Sequence, residues 1–414
     1  MNTVESVNSD EPVTTVAGSS LRIEIPKGKY LKKFESNQHS INLELGESKK
    51  IALLFICLND RYWPYVAQVI KDCRKHFLTN HKVDYFVWTD YNEQTKQKQL
   101  KDLDQLLEAF VEAPQEKKQE TLSNFFSVFA NIVKLYEQFY TPQLQAAFQQ
   151  MGQNGLFFKR DGMKFWFESV RPTVTLQDMQ MVYEVAKNVL LLSQNDMDAA
   201  LQGVTVIDTD AVPWPSPTLM RYHLFLNEEE KLKDYDHIFY MDADMRVVDS
   251  IGDEILSEGL TAAEHPMHHL RKEYIPPYEP NKESTAYIPR PGKVIDENGK
   301  PRFRPYYFAG GFQGGLAKDF IKAMQVMKAN IDKDFDKNYI AVWNDESHWN
   351  KYLFDCQEPD VILSPSYVYP DSLIKEYYEP LWGQSFEPKI ITLTKPFTLS
   401  VQAAQEINKV INRK

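Results

Sequence analysis

A chain of 414 residues with 43% hydrophobic and 25% charged side chains has the composition of an ordinary globular protein of two or three structural units, and its 13% aromatics can fill a large core. The formal net charge of -11 argues against a general nucleic-acid or anionic-membrane surface, and Cys57, Cys73 and Cys356 are too few and too scattered for a disulfide framework or a thiolate zinc site. No apolar run reaches the roughly 18–20 residues of a membrane span, and the polar, acidic first 20 residues lack a signal-peptide core. The expectation is a soluble protein of the reducing cytoplasm, with secretion by a non-classical route left open.

Residues 1–49 read as a leader, disordered over its Ser-, Thr- and acid-rich start. The run Ile51–Cys57 is continuously apolar, as suits a strand buried on both faces of a parallel sheet. A polar turn, a helix near 63–77 and a second strand over 83–90 complete an opening βαβ unit, so 50–91 predicts the first part of a Rossmann-like α/β domain. Residues 92–203 then read as a mainly helical insertion. It contains a helix through Leu103–Val111, a longer one over 116–140, a hairpin around Asp161-Gly162, and a helix capped by Thr175-x-x-Asp178. Strand-and-helix texture returns over 204–396. A helix near 216–232 precedes the strand His237–Met241, and helices follow at 317–330 and 346–355. Residues 397–414 hold a polar amphipathic helix.

Three motifs carry chemistry. Asp242-Ala243-Asp244 follows an apolar strand directly, and the carboxyl end of a strand is where open α/β sheets bind ligands. Strand alternation would aim both carboxylates at one site, where they could hold a hard divalent cation against a diphosphate; a solvated acidic turn is the alternative. Tyr307-Phe-Ala309-Gly310-Gly311-Phe-Gln-Gly314-Gly315 reads as a loop that lets backbone approach a sugar or phosphate, or as a tight structural corner. It matches neither the dinucleotide fingerprint nor the P-loop. Trp343-Asn-Asp345-Glu346-Ser-His348 combines an indole for stacking on a sugar with acids able to act as base or nucleophile; the same acids would equally suit a helix N-terminus. His265, His268 and His269 after Glu264 are open to reading as metal ligands or as a surface or substrate-contact cluster.

In this order the motifs resemble the family-6 retaining glycosyltransferases, the group of the blood group A and B transferases and their soluble bacterial relatives. The resemblance runs through Phe55-Ile56-Cys57 with Tyr62, Tyr85–Asp90, Trp214-Pro with Thr218–His223, Asp242–Asp244, Ile251–Leu256, His265-Pro266, Thr285–Pro289, the Gly-Gly segment, Trp343–His348 with Asn350-Lys-Tyr352, and Leu363-Ser-Pro365. The bacterial members resemble it more closely around Trp214 and Ser364–Pro370.

The resemblance implies a type-A nucleotide-sugar fold, a uridine diphosphate sugar donor and Mn²⁺ or Mg²⁺ as cofactor. It implies that Ile56, Cys57, Leu58 and Tyr62 hold uridine and that Asp242 and Asp244 bind the metal. Arg221 and Lys395 would lie on the donor and its diphosphate. Ala309, Gly310 and Gly311 would line the sugar, and small residues there would favour N-acetylgalactosamine over galactose. Glu346 would be the catalytic carboxylate, Asp345 a donor and acceptor contact, and His265 and Trp343 acceptor contacts. The segments around Met267-His268-His269, Asn344 and Tyr278-Glu279-Pro280-Asn281 depart from the family, so the acceptor, a glycan or a protein, does not carry over. The expected activity is metal-dependent transfer with α linkage. The alternatives are a donor hydrolase or protein-modifying toxin on the same scaffold, and a sugar-binding protein with a retired site. The insertion is expected to govern the acceptor or a protein partner.

Overall fold

The computed structural model describes residues 48–161, 164–169, 175–210, 212, 215–266, 277–289, 307–371 and 386–393. The leader over its first 47 residues and the C-terminal helix lie outside them. In chain order the elements are β1 (Lys50–Cys57), α1 (Trp63–His76), β2 (Lys82–Thr89), α2 (Glu93–Glu112), α3 (Lys118–Gln153), β3 (Leu156–Asp161), β4 (Lys164–Ser169), α4 (Leu176–Ala200) and β5 (Thr205–Asp208). There follow α5 (Ser216–Leu219), α6 (Arg221–Leu226), α7 (Glu229–Leu232), β6 (His237–Met241), β7 (Met245–Val247), β8 (Leu260–Glu264), β9 (Phe308–Leu316), α8 (Ala317–Asp336), α9 (Asn344–Asp355) and β10 (Val361–Leu363). The chain is α/β, and it divides into two compact units.

The first unit takes the described residues of 1–56, 69–87 and 212–414. Its strands run in the order β10-β8-β9-β6-β1-β2. β6 pairs parallel with β1, with Leu54 opposite Tyr240, and β10 pairs parallel with β8. β9 runs against its neighbours β6 and β8. The five residues of β6 are all buried, as are Ile51–Cys57 of β1. That burial on both faces explains their unbroken apolar sequence. Behind the sheet, Phe77 meets Phe239 edge-on, Phe239 stacks on Phe312, and Phe312 stacks on Tyr367.

Two sequence expectations change here. The glycine-rich stretch is neither loop nor corner: Phe308–Leu316 is the antiparallel strand β9, inside the sheet. Its glycines answer to close packing. A Cβ on Gly314 would stand 2.3 Å from the Ile238 carbonyl oxygen and 2.8 Å from the Phe239 Cα, while Gly315 has a φ of +141°. The expected single helix near 216–232 is three short ones, α5 to α7, because the chain turns after Leu219 and again after Leu226.

The second unit takes 57–68 and 88–211. Helices α2, α3 and α4 share a core that includes Leu103, Phe129, Val133, Met179, Val182 and Ala186. The long helix continues past 140 to Gln153, bending at Tyr140 (φ -123°), two residues before Pro142. Thr175 and Asp178 form the expected capping box. Strands β3 and β4 pair antiparallel with Asp161 opposite Lys164, so the turn falls at 162 and 163, outside the described residues. No helix of the described residues is long and apolar enough to cross a membrane.

The packing of β9 on β6 gives the first test. Gly314→Ala forces backbone apart in the middle of the sheet, so it lowers stability by about 1–3 kcal/mol or more. Chemical denaturation should show the loss; an unchanged midpoint would mean that the strands tolerate a wider separation.

Candidate active site

The site is built at the edge where β6 and β1 end. These strands run parallel, so Ile56 and Asp242 leave the sheet on the same edge, the carboxyl edge at which α/β sheets bind ligands. β6 ends at Met241, and Asp242-Ala243-Asp244 forms the turn into β7. The strand-alternation argument for the two acids therefore does not apply: the chain leaves extended structure before the first of them. Asp242 is partly exposed, whereas Ala243 and Asp244 are buried. The Asp242 amide donates to the Gly311 carbonyl (2.8 Å), which fastens the turn to β9.

Arg221, on α6, lies at the middle of this centre and is only 3% exposed. Its Nη1 donates to the Gly310 carbonyl at 3.1 Å and stands 3.0 Å from Asp345 Oδ2. Its Nη2 reaches Asp242 Oδ1 at 3.4 Å, and its Nε donates to the Thr218 carbonyl at 3.2 Å. The guanidinium also lies 4.2 Å from the centre of the Tyr240 ring, whose hydroxyl donates to Asp242 Oδ1. Beneath it, Gln313 donates to the same Gly310 carbonyl and accepts from the Tyr222 hydroxyl.

Asp345 and Glu346 open α9. Neither Asn344 nor Asp345 caps the helix: Asn344 sits in the left-handed region (φ 52°), and Asp345 turns inward to Arg221. Glu346 accepts from the Gly310 amide (Oε2, 2.8 Å), and the Tyr307 hydroxyl lies close enough to lower its pKa. Burial first, then Asp242, raises its pKa to about 7 against the pull of those donors and Arg221. Burial also raises Asp345 to about 7, with Asp242 and Glu346 adding to it and Arg221 opposing. Asn350, one turn on, clips α9 to β9 by exchanging two hydrogen bonds with the Phe308 backbone.

The Gly-Gly pair is small because of close packing against the acids. A Cβ on Gly310 would meet the Glu346 Cβ at 3.1 Å, and one on Gly311 would come within 2.7 Å of Asp242 Oδ2 and 2.6 Å of the Met245 methyl. At both positions the absent side chain makes room for the acids. Ala309, just before them in β9, is buried.

The acceptor-side residues are placed differently from one another. His265 sits just beyond β8 with its ring edge-on to Tyr307, and burial lowers its pKa to about 4, so it is neutral. Trp343 is 44% exposed, its indole N–H held by the Pro277 carbonyl at 3.0 Å. Glu279, noted in the sequence only within a segment that departs from the family, has a structural role. It is buried and accepts from the Tyr339 hydroxyl (2.8 Å), the Val342 amide (2.7 Å) and the Asn281 amide (2.8 Å), so it ties the approach to α9 down beside Trp343. Of the expected uridine residues, Ile56 and Cys57 close β1, Leu58 is buried and Tyr62 ends a single 3₁₀ turn. Lys395, His268 and His269 lie outside the described residues.

Among the described residues no group of three or more His, Cys, Asp or Glu side chains is gathered to hold a metal ion. Asp242 and Asp244 remain the candidates. Their donor set is two hard carboxylates in one turn, the oxygen chemistry that a hard divalent cation takes.

A mixed, mostly parallel sheet with acids and a buried arginine at its carboxyl edge is a Rossmann-like α/β arrangement with a ligand-binding edge. Residues 200–377 match the model of glycosyltransferase family 6. It is 32% identical over 163 residues to the histo-blood group ABO system transferase 1 of Rattus norvegicus, covering 39% of this chain and 43% of that one. It is 28% identical over 193 residues to the O-antigen biosynthesis glycosyltransferase WbnI of Escherichia coli, covering 46% of this chain and 73% of that one. Human globoside alpha-1,3-N-acetylgalactosaminyltransferase 1 matches at 30% over 139 residues, 34% of this chain and 36% of that one. The chain thus spans less than half the length of the mammalian relatives it matches.

The raised pKa of Glu346 gives the site a stability signature. Its folded value lies above that of the unfolded chain, so its contribution is complete below about pH 4.5 and is lost as the pH rises through about 7. Glu346→Gln removes that loss and should make the protein about 2 kcal/mol more stable than wild type at about pH 8. Denaturation at acid and alkaline pH checks this; equal stabilities at about pH 8 would mean the carboxylate is not held against its solvation.

Proposed function

We propose that the chain is a metal-dependent retaining glycosyltransferase that moves a sugar from a uridine diphosphate donor to a hydroxyl of a glycan or protein, with α linkage. The observation that carries this is the Arg221 centre, which joins Asp242 of the turn after β6, the Gly310 carbonyl of β9 and Asp345 of α9 within 3.4 Å of one guanidinium. The residues Ile56–Leu58 and Tyr62 take the nucleoside. N-acetylgalactosamine is the favoured sugar, with galactose as the second donor. The relatives' names support this preference, since the globoside enzyme's own name specifies N-acetylgalactosamine and α-1,3 transfer. The three cysteines are free thiols, which suits action in the cytoplasm.

The charge balance supports the cation. Asp242, Asp345 and Glu346 are acids, and Arg221 is the cation that the described contacts place among them, with Asp244 two residues beyond Asp242. A diphosphate brings more negative charge. A divalent cation held by Asp242 and Asp244 supplies the opposing charge and, when bound, eases departure of the diphosphate. Arg221 adds a fixed positive charge and, through Asp345 and Gly310, holds α9 against β9. Glu346, oriented by the Gly310 amide, stabilises positive charge at the anomeric carbon on the face opposite the diphosphate. Burial favours that role, because a carboxylate poorly solvated by water acts strongly on a nearby cation. His265, neutral beside Tyr307, borders the acceptor side with Trp343.

Three outcomes follow. Nucleotide diphosphate release from a panel of donors should require Mn²⁺ or Mg²⁺, and Asp244→Asn should lower it by roughly a hundredfold or more; full release in excess chelator would refute the metal assignment. Glu346→Gln should keep donor affinity and lower kcat by orders of magnitude, since the amide keeps the shape and loses the charge. Wild-type kcat should rise as the pH climbs through about 7, where Glu346 ionises; a flat profile together with an active Glu346→Gln would leave Glu346 as a structural residue.

A further inference from the structure

The helical unit carries the loop that follows β1. The segment 57–68 belongs with 88–211 and not with the sheet that β1 enters. In that loop Asn59 adopts φ 92° and ψ 136°, a left-handed conformation that a residue with a side chain adopts only when its surroundings enforce it. Two contacts enforce it. The Asn59 amide donates to Asp90 Oδ2 at 3.0 Å, and the other oxygen of that carboxylate receives the Trp63 indole N–H at 3.4 Å. Next to it, Asp60 Oδ2 accepts from Gln99 Nε2 on α2 at 3.1 Å. The Gln99 amide is itself oriented from behind, because its oxygen accepts from Gln194 Nε2 on α4 at 3.0 Å. Gln194 is buried and also donates to the Lys96 carbonyl. A chain of amides therefore runs from the core of the helical unit to the loop, with every donor facing an acceptor. Edge-on contacts of Trp63 with Tyr91 and of Tyr65 with Phe139 hold the start of α1 in the same unit.

We infer that the helical unit positions the donor-binding loop: Gln99, backed by Gln194, is a positioning residue that sets the Leu58–Tyr62 loop for the nucleoside. This rests on the reading that this loop takes uridine. It differs from the expectation that the insertion serves the acceptor or a partner. The physical reason is that Asn59 is held off its preferred conformation, so the loop keeps a binding geometry only while Asp90 and Gln99 restrain it. An unrestrained loop would spend part of its time elsewhere, and its apparent affinity would fall by that fraction. Gln99 stands outside the reacting centre, so the restraint affects binding and leaves the chemical step alone.

Gln99→Glu isolates the restraint. The new carboxylate still accepts from Gln194, but it faces Asp60 with an acceptor in place of a donor. Gln97→Glu is the control: it adds the same charge to the exposed side of α2, where Gln97 meets Glu93. Calorimetric titration with UDP and Mn²⁺ should show a Kd raised on the order of tenfold for Gln99→Glu, a smaller rise for Gln99→Ala and little change for Gln97→Glu. Donor KM should rise in parallel, with kcat at saturating donor retained, and thermal melts should confirm folding. Tyr62→Ala tests the underlying reading separately. If Tyr62→Ala weakens UDP and both Gln99 variants, folded, bind it as wild type does, the positioning role is wrong and the nucleoside reading stands. If all of them bind UDP as wild type does, the loop is not the nucleoside site and the inference falls with it. A loss of kcat with unchanged KM in Gln99→Glu would also overturn it.

Discussion

Everything at this centre depends on a buried guanidinium. Arg221 has almost no contact with water, and an unpaired charge in such a place costs several kcal/mol. Its partners come from separate segments: Thr218 before α6, Asp242 after β6, Gly310 in β9 and Asp345 at the start of α9. The arginine therefore holds four pieces of chain in one geometry. A lysine could not do this, because its point charge lacks the planar fork that reaches two carboxylates and a carbonyl at once. The glycines of β9 belong to the same constraint. Gly310 and Gly311 lack side chains because the acids and α9 must come that close.

The constraint has an electrostatic consequence. More carboxylates converge than one arginine can neutralise, and burial adds to the imbalance. Asp345 and Glu346 are consequently pushed up to about 7. A fold selected for stability alone would not hold two acids near their titration point inside the protein. This arrangement suits a reaction in which positive charge appears briefly at a carbon beside Glu346 and negative charge departs towards the turn after β6. The match of residues 200–377 to glycosyltransferase family 6 agrees with that polarity.

Much of the frame was legible because it obeys local rules. Burial on both faces produces the unbroken apolar runs of β1 and β6, and Thr175 and Asp178 announce a capping box by their spacing. The acids at 242, 244, 345 and 346 stood out because carboxylates beside apolar strands or indoles are conspicuous. Their surroundings were not legible. Asp242–Asp244 falls on a turn, and the glycine-rich stretch is a strand, because tertiary packing rather than local preference decides both. The role of Glu279 escaped notice since its partners, Tyr339 and Val342, are 60 and 63 residues away. Gln99 looked like one more polar residue on an exposed helix; its bonds to Asp60 and Gln194 span 39 and 95 residues, beyond any periodicity.

The central claim is that Glu346 and the Arg221 centre work on opposite faces of the sugar, and the anomeric configuration of the first product reports on it most directly. Nuclear magnetic resonance of the protein incubated with UDP-N-acetylgalactosamine and Mn²⁺ would follow the anomeric proton from donor to transferred or released sugar, before mutarotation scrambles it. The account predicts that the α configuration of the donor appears first in the product. A product that appears first as the β anomer would contradict it, because a single displacement by water or acceptor would then have occurred without the face-protecting action of Glu346.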